Sequence, residues 1–436
     1  MTRRGAGLSA VGRPAAAAAL ALLTTVAGCA RDPSAPVLTF SGSAVGLEAD
    51  VLGRQFARFE ANHPPLTVRL RVTPDAADER RQLYVHWLTA RAADPDVLQL
   101  DVIWTPEFAA AGWILALDPF QPDITGYFPA AIAANRWQEH LYALPWFVDV
   151  GMLYWRTDLM PAAPTDFEAL TRVAIGARSR GVRDGFVWQG ARYEGLVTVF
   201  LEHLGGFGGA IIDEAGAVTV DSAAAVAALT FMRDAVWATG IAPATVLTWQ
   251  EEQVRFAFQN GQAALMRNWP YAHRLLQDER ASRVAGRFGV APMPAAAGGS
   301  PTAALGGSHL AINAHSDRPE AAYALIEYLT APEQMLERAR VAGYLPARPS
   351  LYDTAELSEA LGLDARRARA IVDRAVPRPV TPLYSQLSEI LQVHLHRALT
   401  RQQEPRGALA DAAEAMRGAI ARAGLDARSA EGSEAP

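Results

Sequence analysis

The 436-residue chain has no lysine and one cysteine, Cys29. The first absence makes all 40 basic residues arginine, a composition bias from which no function follows. The second excludes an internal disulfide. Positive charge is in deficit as well: a formal net charge of −6, with no basic cluster, leaves no phosphate-tracking surface, so nucleic acid is not an expected partner. Half of the residues are apolar and 20% are charged, which excludes a disordered chain, collagen and a multi-span membrane protein. At about 150 residues per domain the length predicts two or three folding units. Aromatic residues are plentiful by contrast, and the 10 Trp, 11 Tyr and 15 Phe exceed what a core requires. Some of them are therefore candidates for lining a ligand site.

Arg3, Arg4 and Arg13 precede an apolar run, Ala15 to Ala27, of 13 residues. That run is too short to span a bilayer as a mature helix and reads as a secretory signal. It ends in Val26-Ala27-Gly28-Cys29, small residues before a cysteine, which resembles the processing site of bacterial lipoproteins. A catalytic thiol would need a structured environment to lower its pKa, which a signal junction lacks, so lipid attachment at Cys29 is the expected use. Removal of residues 1–28, with three arginines, leaves 408 residues and a net charge of −9. Residues 29–36 would then tether the protein to the extracytoplasmic face of the cell membrane.

Along the mature chain, Val37 to Ser41 reads as a strand. Leu47, Val51, Leu52, Phe56 and Phe59 then recur at helical spacing until Asn62-His63-Pro64-Pro65 breaks the pattern. Leu66, Val68, Leu70 and Val72 alternate as a second strand. A helix from Glu79 to Arg91 leads to a third strand at Val102-Ile103-Trp104, and Leu141 to Leu144 makes a fourth. Alternating strands and helices predict an α/β lobe. After Pro145 a second series opens with the strand Met152 to Trp155 and a capping box, Thr165-Asp166-Phe167-Glu168, ahead of a helix. Asp221 precedes a long helical run, Gly205 to Gly209 reads as a turn, and Leu310 to Asn313 as a strand. From Leu357 to Gly424 the chain is mostly helical, and residues 426–436 form a flexible tail.

Familiar catalytic signatures are missing. Gly206-Phe207-Gly208 lacks the third glycine of a dinucleotide fingerprint, and Gly306-Gly307-Ser308-His309-Leu310 has Leu where a nucleophile elbow needs Gly. His394 and His396 stand about 200° apart around a helix and cannot share a metal ion. No cofactor and no metal is assigned. What is present is a set of aromatics beside acids and amides: Leu144-Pro145-Trp146-Phe147-Val148-Asp149, and Arg267-Asn268-Trp269-Pro270-Tyr271, where Pro270 is expected to hold the chain extended. Trp269 and Tyr271 would then project together. Flat rings suit the C–H faces of a neutral sugar, and acids, amides and arginine suit its hydroxyls. An isolated Trp is more often core packing, and an isolated Asp at a strand end is more often a cap. A secreted glycoside hydrolase using Asp149 and Glu194 would combine the same residue types, and a cell-surface interaction protein with a degenerate cleft is a further alternative.

At these residues the chain resembles the extracellular solute-binding proteins of carbohydrate ATP-binding-cassette importers, in particular the trehalose/maltose-binding branch. The motifs that carry the resemblance are Tyr142-Ala143-Leu144-Pro145-Trp146-Phe147-Val148-Asp149-Val150-Gly151, Trp188-Gln189-Gly190 with Tyr193-Glu194-Gly195-Leu196, Phe258-Gln259-Asn260-Gly261 leading into Met266 to Tyr271, and Leu305-Gly306-Gly307. The resemblance implies an α/β, two-lobe periplasmic-binding-protein-like fold with a hinge and an interlobe ligand cleft. Residues 37–145 plus 308–358 would form one lobe and 146–307 plus 359–425 the other. It further implies that Trp269 and Tyr271 stack on sugar rings with Phe147 beside them, and that Glu48, Asp101 and Asp149 accept hydrogen bonds. Gly306 and Gly307 would offer backbone groups, and Arg378 would reach in from the late segment. The implied ligand is a disaccharide or small oligosaccharide, with a polyol, another oligosaccharide or a glycerophospho compound as alternatives. The implied partners are the importer's permease subunits, and a monomer is expected. Two departures stand out: Ser308 follows the paired glycines where relatives commonly carry Trp, and Phe147 stands where relatives often have Tyr.

Overall fold

The computed structural model describes residues 36–44 and 46–425. The expected signal segment, Cys29, the tether up to residue 35 and the tail from 426 lie outside the described residues. Twelve strands are present among the described residues: β1 (Val37–Gly42), β2 (Thr67–Val72), β3 (Val97–Asp101), β4 (Arg136–Trp137), β5 (His140–Leu141), β6 (Ala143–Val150), β7 (Met152–Arg156), β8 (Asp184–Val187), β9 (Ala263–Asn268), β10 (Phe288–Ala291), β11 (Ala303–Ile312) and β12 (Ala375–Val376). They form two main sheets. The first runs β12-β11-β3-β1-β2 with β6 on the other edge of β11; the second runs β10-β7-β9-β8. β1 pairs parallel with β2 and β3, as alternating strands and helices require, whereas β11 returns antiparallel to β3 and β6.

The apolar stripe of the first helix, Glu48–Asn62, packs Val51, Leu52, Phe56 and Phe59 against Leu38 and Phe40 of β1. Each such side chain contributes about 1.5–3 kcal/mol on leaving water. A second core gathers Leu196, Phe200 and Leu204 of the helix Glu194–Gly206 with Leu229 and Met232 of Ala223–Trp237. Leu391 and Leu395 of Tyr384–Leu399 join it. The helical reading of the carboxy-terminal region agrees with four helices there, Ala355–Leu361, Ala365–Val372, Tyr384–Leu399 and Pro405–Arg422.

Several elements depart from the sequence reading. The third strand is Val97–Asp101, and Val102 to Trp104 turn into the helix Thr105–Ala110. Asp101 turns the chain by accepting the Ile103 N–H at 3.3 Å, and Pro106 pre-sets the first helical turn. The strand expected at 141–144 is a longer one, β6, that passes through Pro145. It tolerates the proline because the ladder with β11 shifts register between Ser308 and His309, where an N–H is not needed. The helix Phe167–Ser179 is capped by Asp166, not Thr165, through the Ala169 N–H at 2.7 Å. Ser222 rather than Asp221 caps Ala223–Trp237, while Asp221 pairs with Arg417 at 2.9 Å. Gly205 and Gly206 complete a helix instead of opening a turn.

Gly151 is the single residue between β6 of the first sheet and β7 of the second. A Cβ there would collide with the Glu202 carboxylate and the Arg267 guanidinium, so any larger residue has to displace this buried pair. β11 lies hydrogen-bonded to β6 along this crossing. The expected boundaries near 145 and 307 thus fall inside two paired strands. A third connection, after β12, leads through Arg378 to the helix Tyr384–Leu399.

Candidate functional site

Between the two sheets lies a cavity of about 270 Å³. Asp101, Phe147, Asp149, Trp269, Tyr271, Gly306, Gly307 and Arg378, all singled out from the sequence, line it. β3 ends at Asp101, β6 supplies Phe147 and Asp149, β11 supplies the two glycines, and β9 delivers Trp269 one residue past its end.

Asp149 is half-buried, and its Oδ1 is shut off from solvent without a hydrogen-bond partner. Burial, and then the neighbouring carboxylates of Glu48 and Asp101, push its carboxyl well above the usual range; Arg267 and Arg338 oppose that shift. A buried acceptor without a donor is a costly group to keep. Close by, burial followed by the charge of Glu251 raises the phenol of Tyr193.

Trp269 is held from behind. The Arg267 guanidinium carbon lies 3.9 Å from the indole ring centre, and the indole N–H donates to Glu251 at 3.4 Å. Arg267 is itself fully buried, ion-paired to the fully buried Glu202 and donating to Gln189 at 3.3 Å. Glu202 also accepts the Ala304 N–H of β11 at 3.3 Å, so one buried pair joins β9, the helix Glu194–Gly206 and β11 beneath the ring. Gly306 lets this ring approach: a Cβ there would stand 3.3 Å from the indole and 3.4 Å from the Asp149 Cβ. Gly307 has φ +122° and a Cβ would collide with the Phe147 carbonyl, which restricts the position to glycine.

The extended chain expected at Pro270 is not present. Pro270 is helical (φ −56°, ψ −34°) and Tyr271 opens the helix Tyr271–Leu276. Proline fits a helix start because its missing N–H would have had no partner there. Tyr271 still reaches the cavity, and its hydroxyl donates to Glu252 at 2.7 Å. Phe147 packs on Tyr344 with ring centres 4.2 Å apart. The Ser308 hydroxyl accepts from Gln99 Nε2 at 3.0 Å, so this position contributes a fixed polar group and no stacking surface.

Arg378 bridges Asp101 at 2.9 Å and Glu194 at 2.8 Å. Tyr384 and Ser388 also donate to Glu194, which commits that carboxylate and removes it as the proton donor of a hydrolase. Glu48 is a correction. It does not line the cavity; its carboxylate is buried behind it, bonded to Ser43 at 2.8 Å, Arg338 at 3.2 Å and Tyr344 at 3.3 Å. Its place at the start of the first helix directs it into this cluster, and its role is to hold Ser43 and Tyr344 at the cavity wall.

Sequence reasoning missed Glu251, Glu252 and Tyr344. A signal for the first two was present: Gln250 and Gln253 form a capping box that places both acids in the first turn of the helix Glu251–Gln259. Among the described residues no group of three His, Cys, Asp or Glu side chains is arranged to hold a metal ion, and no helix is long and apolar enough to cross a membrane.

The family model for bacterial extracellular solute-binding proteins matches residues 46–336. A probable ABC transporter-binding protein of Deinococcus radiodurans is 35% identical over 419 residues, covering 93% of this chain and 98% of the relative. The structure of maltose-bound MalE3 of T. maritima matches with a TM-score of 0.84 and 39% identity, over 88% of this chain and 99% of that one. UgpB of Mycobacterium tuberculosis, in complex with glycerophosphocholine, shares the fold at 23% identity and a TM-score of 0.78, over 89% and 99% of the two chains.

Proposed function

Since the chain belongs to the bacterial extracellular solute-binding proteins, the non-enzymatic, extracytoplasmic solute-binding components of ATP-binding-cassette importers, we propose that its cavity holds a disaccharide such as maltose or trehalose. The observation that carries this reading is the half-buried Asp149 carboxylate set in one cavity with Phe147, Trp269 and Tyr271. A sugar hydroxyl donates to the accessible side of this carboxylate while the ring faces cover apolar surface. The 39%-identical relative carrying maltose supports the same ligand class.

Residues from both sheets line the cavity, so contacts to all of them exist only when the two halves close on the ligand. Sugar therefore favours the closed arrangement, which the permease receives. The two lobes divide along residues 37–145 plus 308–358 and 146–307 plus 359–425. Anchoring is through a lipid on Cys29, and Cys29→Ser releases the protein from the membrane fraction.

Calorimetry on the protein from Ala30 onward, titrated with maltose and trehalose, tests the ligand. A micromolar dissociation constant, about −8 kcal/mol, is expected for at least one of them. Absence of heat with both, together with an unshifted melting temperature, rejects the disaccharide.

A further inference from the structure

The carboxylates around the cavity outnumber the cations that balance them. Glu252 is neutralised by Arg255. Arg378 faces two carboxylates, Asp101 and Glu194, so this triad keeps one negative charge. Glu251 and Asp149 line the cavity with no cation paired to either among the described residues, and the exposed Asp75 stands at its rim. Against these, the cavity wall offers Arg80. Its guanidinium lies 5.2 Å from the Trp104 ring centre and donates to the Pro74 and Asp75 carbonyls at 3.2 Å, and so it is turned toward the wall. The site keeps a surplus of three negative charges, or two with Asp149 protonated.

We propose that this surplus makes the cleft a charge filter: it takes uncharged polyhydroxylated ligands and turns away their phosphorylated or carboxylated forms. The inference rests on the disaccharide reading and narrows it to neutral sugars. The physical basis is the distribution of donors and acceptors. A neutral sugar brings hydroxyl donors to the carboxylates that line the cavity without a cation, Asp149 and Glu251. An anionic group brings only acceptors, and it enters a partly desolvated space where like charges are weakly screened. The cations that could answer it are committed: Arg378 to two carboxylates, and Arg267 to Glu202 beneath Trp269.

The test uses three isosteric probes built on maltose or trehalose, whichever the protein binds. They are the parent sugar, the derivative with one terminal C6 oxidised to a carboxylate, and the carboxamide of that derivative. Carboxylate and carboxamide have the same shape and differ in charge. Titration of the purified protein at low ionic strength is expected to give a carboxamide within about threefold of the parent and a carboxylate at least about tenfold weaker. That gap narrows with added salt and in Glu251→Gln. A carboxylate bound as tightly as the carboxamide overturns the filter, as does a gap that neither salt nor Glu251→Gln alters. Binding of the parent in those cases leaves the disaccharide reading standing. Binding of none of the probes, the parents included, removes both.

Discussion

At the scale of single residues, the site is built around groups that the fold would be more stable without. Asp149 is the clearest case. Its raised carboxyl pKa means that the folded protein holds the proton more tightly than the unfolded chain does, so its contribution to stability declines as pH rises above about 3.8 toward the raised value. Asp149→Asn is expected to remove that decline and raise the melting temperature at neutral pH, while weakening sugar binding by about 10- to 100-fold. Thermal scans across pH beside calorimetry check the opposed signs, and a variant that loses both stability and affinity contradicts the role. Arg267→Met strips the support from Trp269 and leaves Glu202 buried without a counter-charge, which costs about 3–5 kcal/mol in denaturant unfolding. Gly307→Ala is strained in φ and collides with the Phe147 carbonyl, and a loss of more than about 1 kcal/mol is expected by the same measurement. Phe147, Asp149, Trp269 and Tyr271 were legible because aromatics next to acids are a local pattern, whereas Asp101, Gly306, Gly307 and Arg378 came from the family resemblance. Glu48 was misplaced because its contacts, Arg338 and Tyr344, lie some 290 residues away in sequence and leave no trace near it.

Among the elements, periodic signals read well and boundaries read less well. The stripe from Val51 to Phe59 describes a real helix because that face is buried, and the alternation from Leu66 to Val72 a real strand that pairs with β1, although only Val68 of its apolar residues is buried. Asp101 instead ends a strand that its own apolar successors, Val102 and Ile103, gave every local reason to continue. Caps slipped by one residue, from Thr165 to Asp166 and from Asp221 to Ser222, because either side chain suits the role and only backbone conformation chooses between them. The helix Glu194–Gly206 permits a pH test far from the ligand. Burial lowers its His203 to about 4, so the ring is neutral in the folded protein, and its stabilising share is complete above about 6.5 and is lost as pH falls toward 4. Relative to His203→Gln, the wild type should lose about 1.4 kcal/mol per pH unit across that window, measured by urea unfolding. A constant difference between the two proteins excludes the burial effect.

For the molecule as a whole, ligand and fold are thermodynamically linked. At a ligand concentration 1,000 times the dissociation constant, binding to the folded state adds about 4 kcal/mol, which a calorimetric scan registers as a concentration-dependent rise in melting temperature. The Trp269→Ala variant should melt lower without ligand, since the ring packs against Arg267 and two cores, and should also lose most of the ligand-dependent rise. Length predicted two or three folding units, strand–helix alternation one α/β lobe, and the resemblance two interleaved lobes. None of these revealed how tightly the crossing is built, since that depends on the Glu202–Arg267 pair packed against a position with no side chain.

The passage at Gly151 has a practical corollary. With one residue separating the sheets on this path, the chain has no slack there, and opening must be taken up by backbone rotation beside Gly151 and at the neighbouring connections. One spectroscopic ruler across the mouth, between cysteines introduced on opposite rims of a protein that from Ala30 onward has none of its own, would therefore report that opening directly.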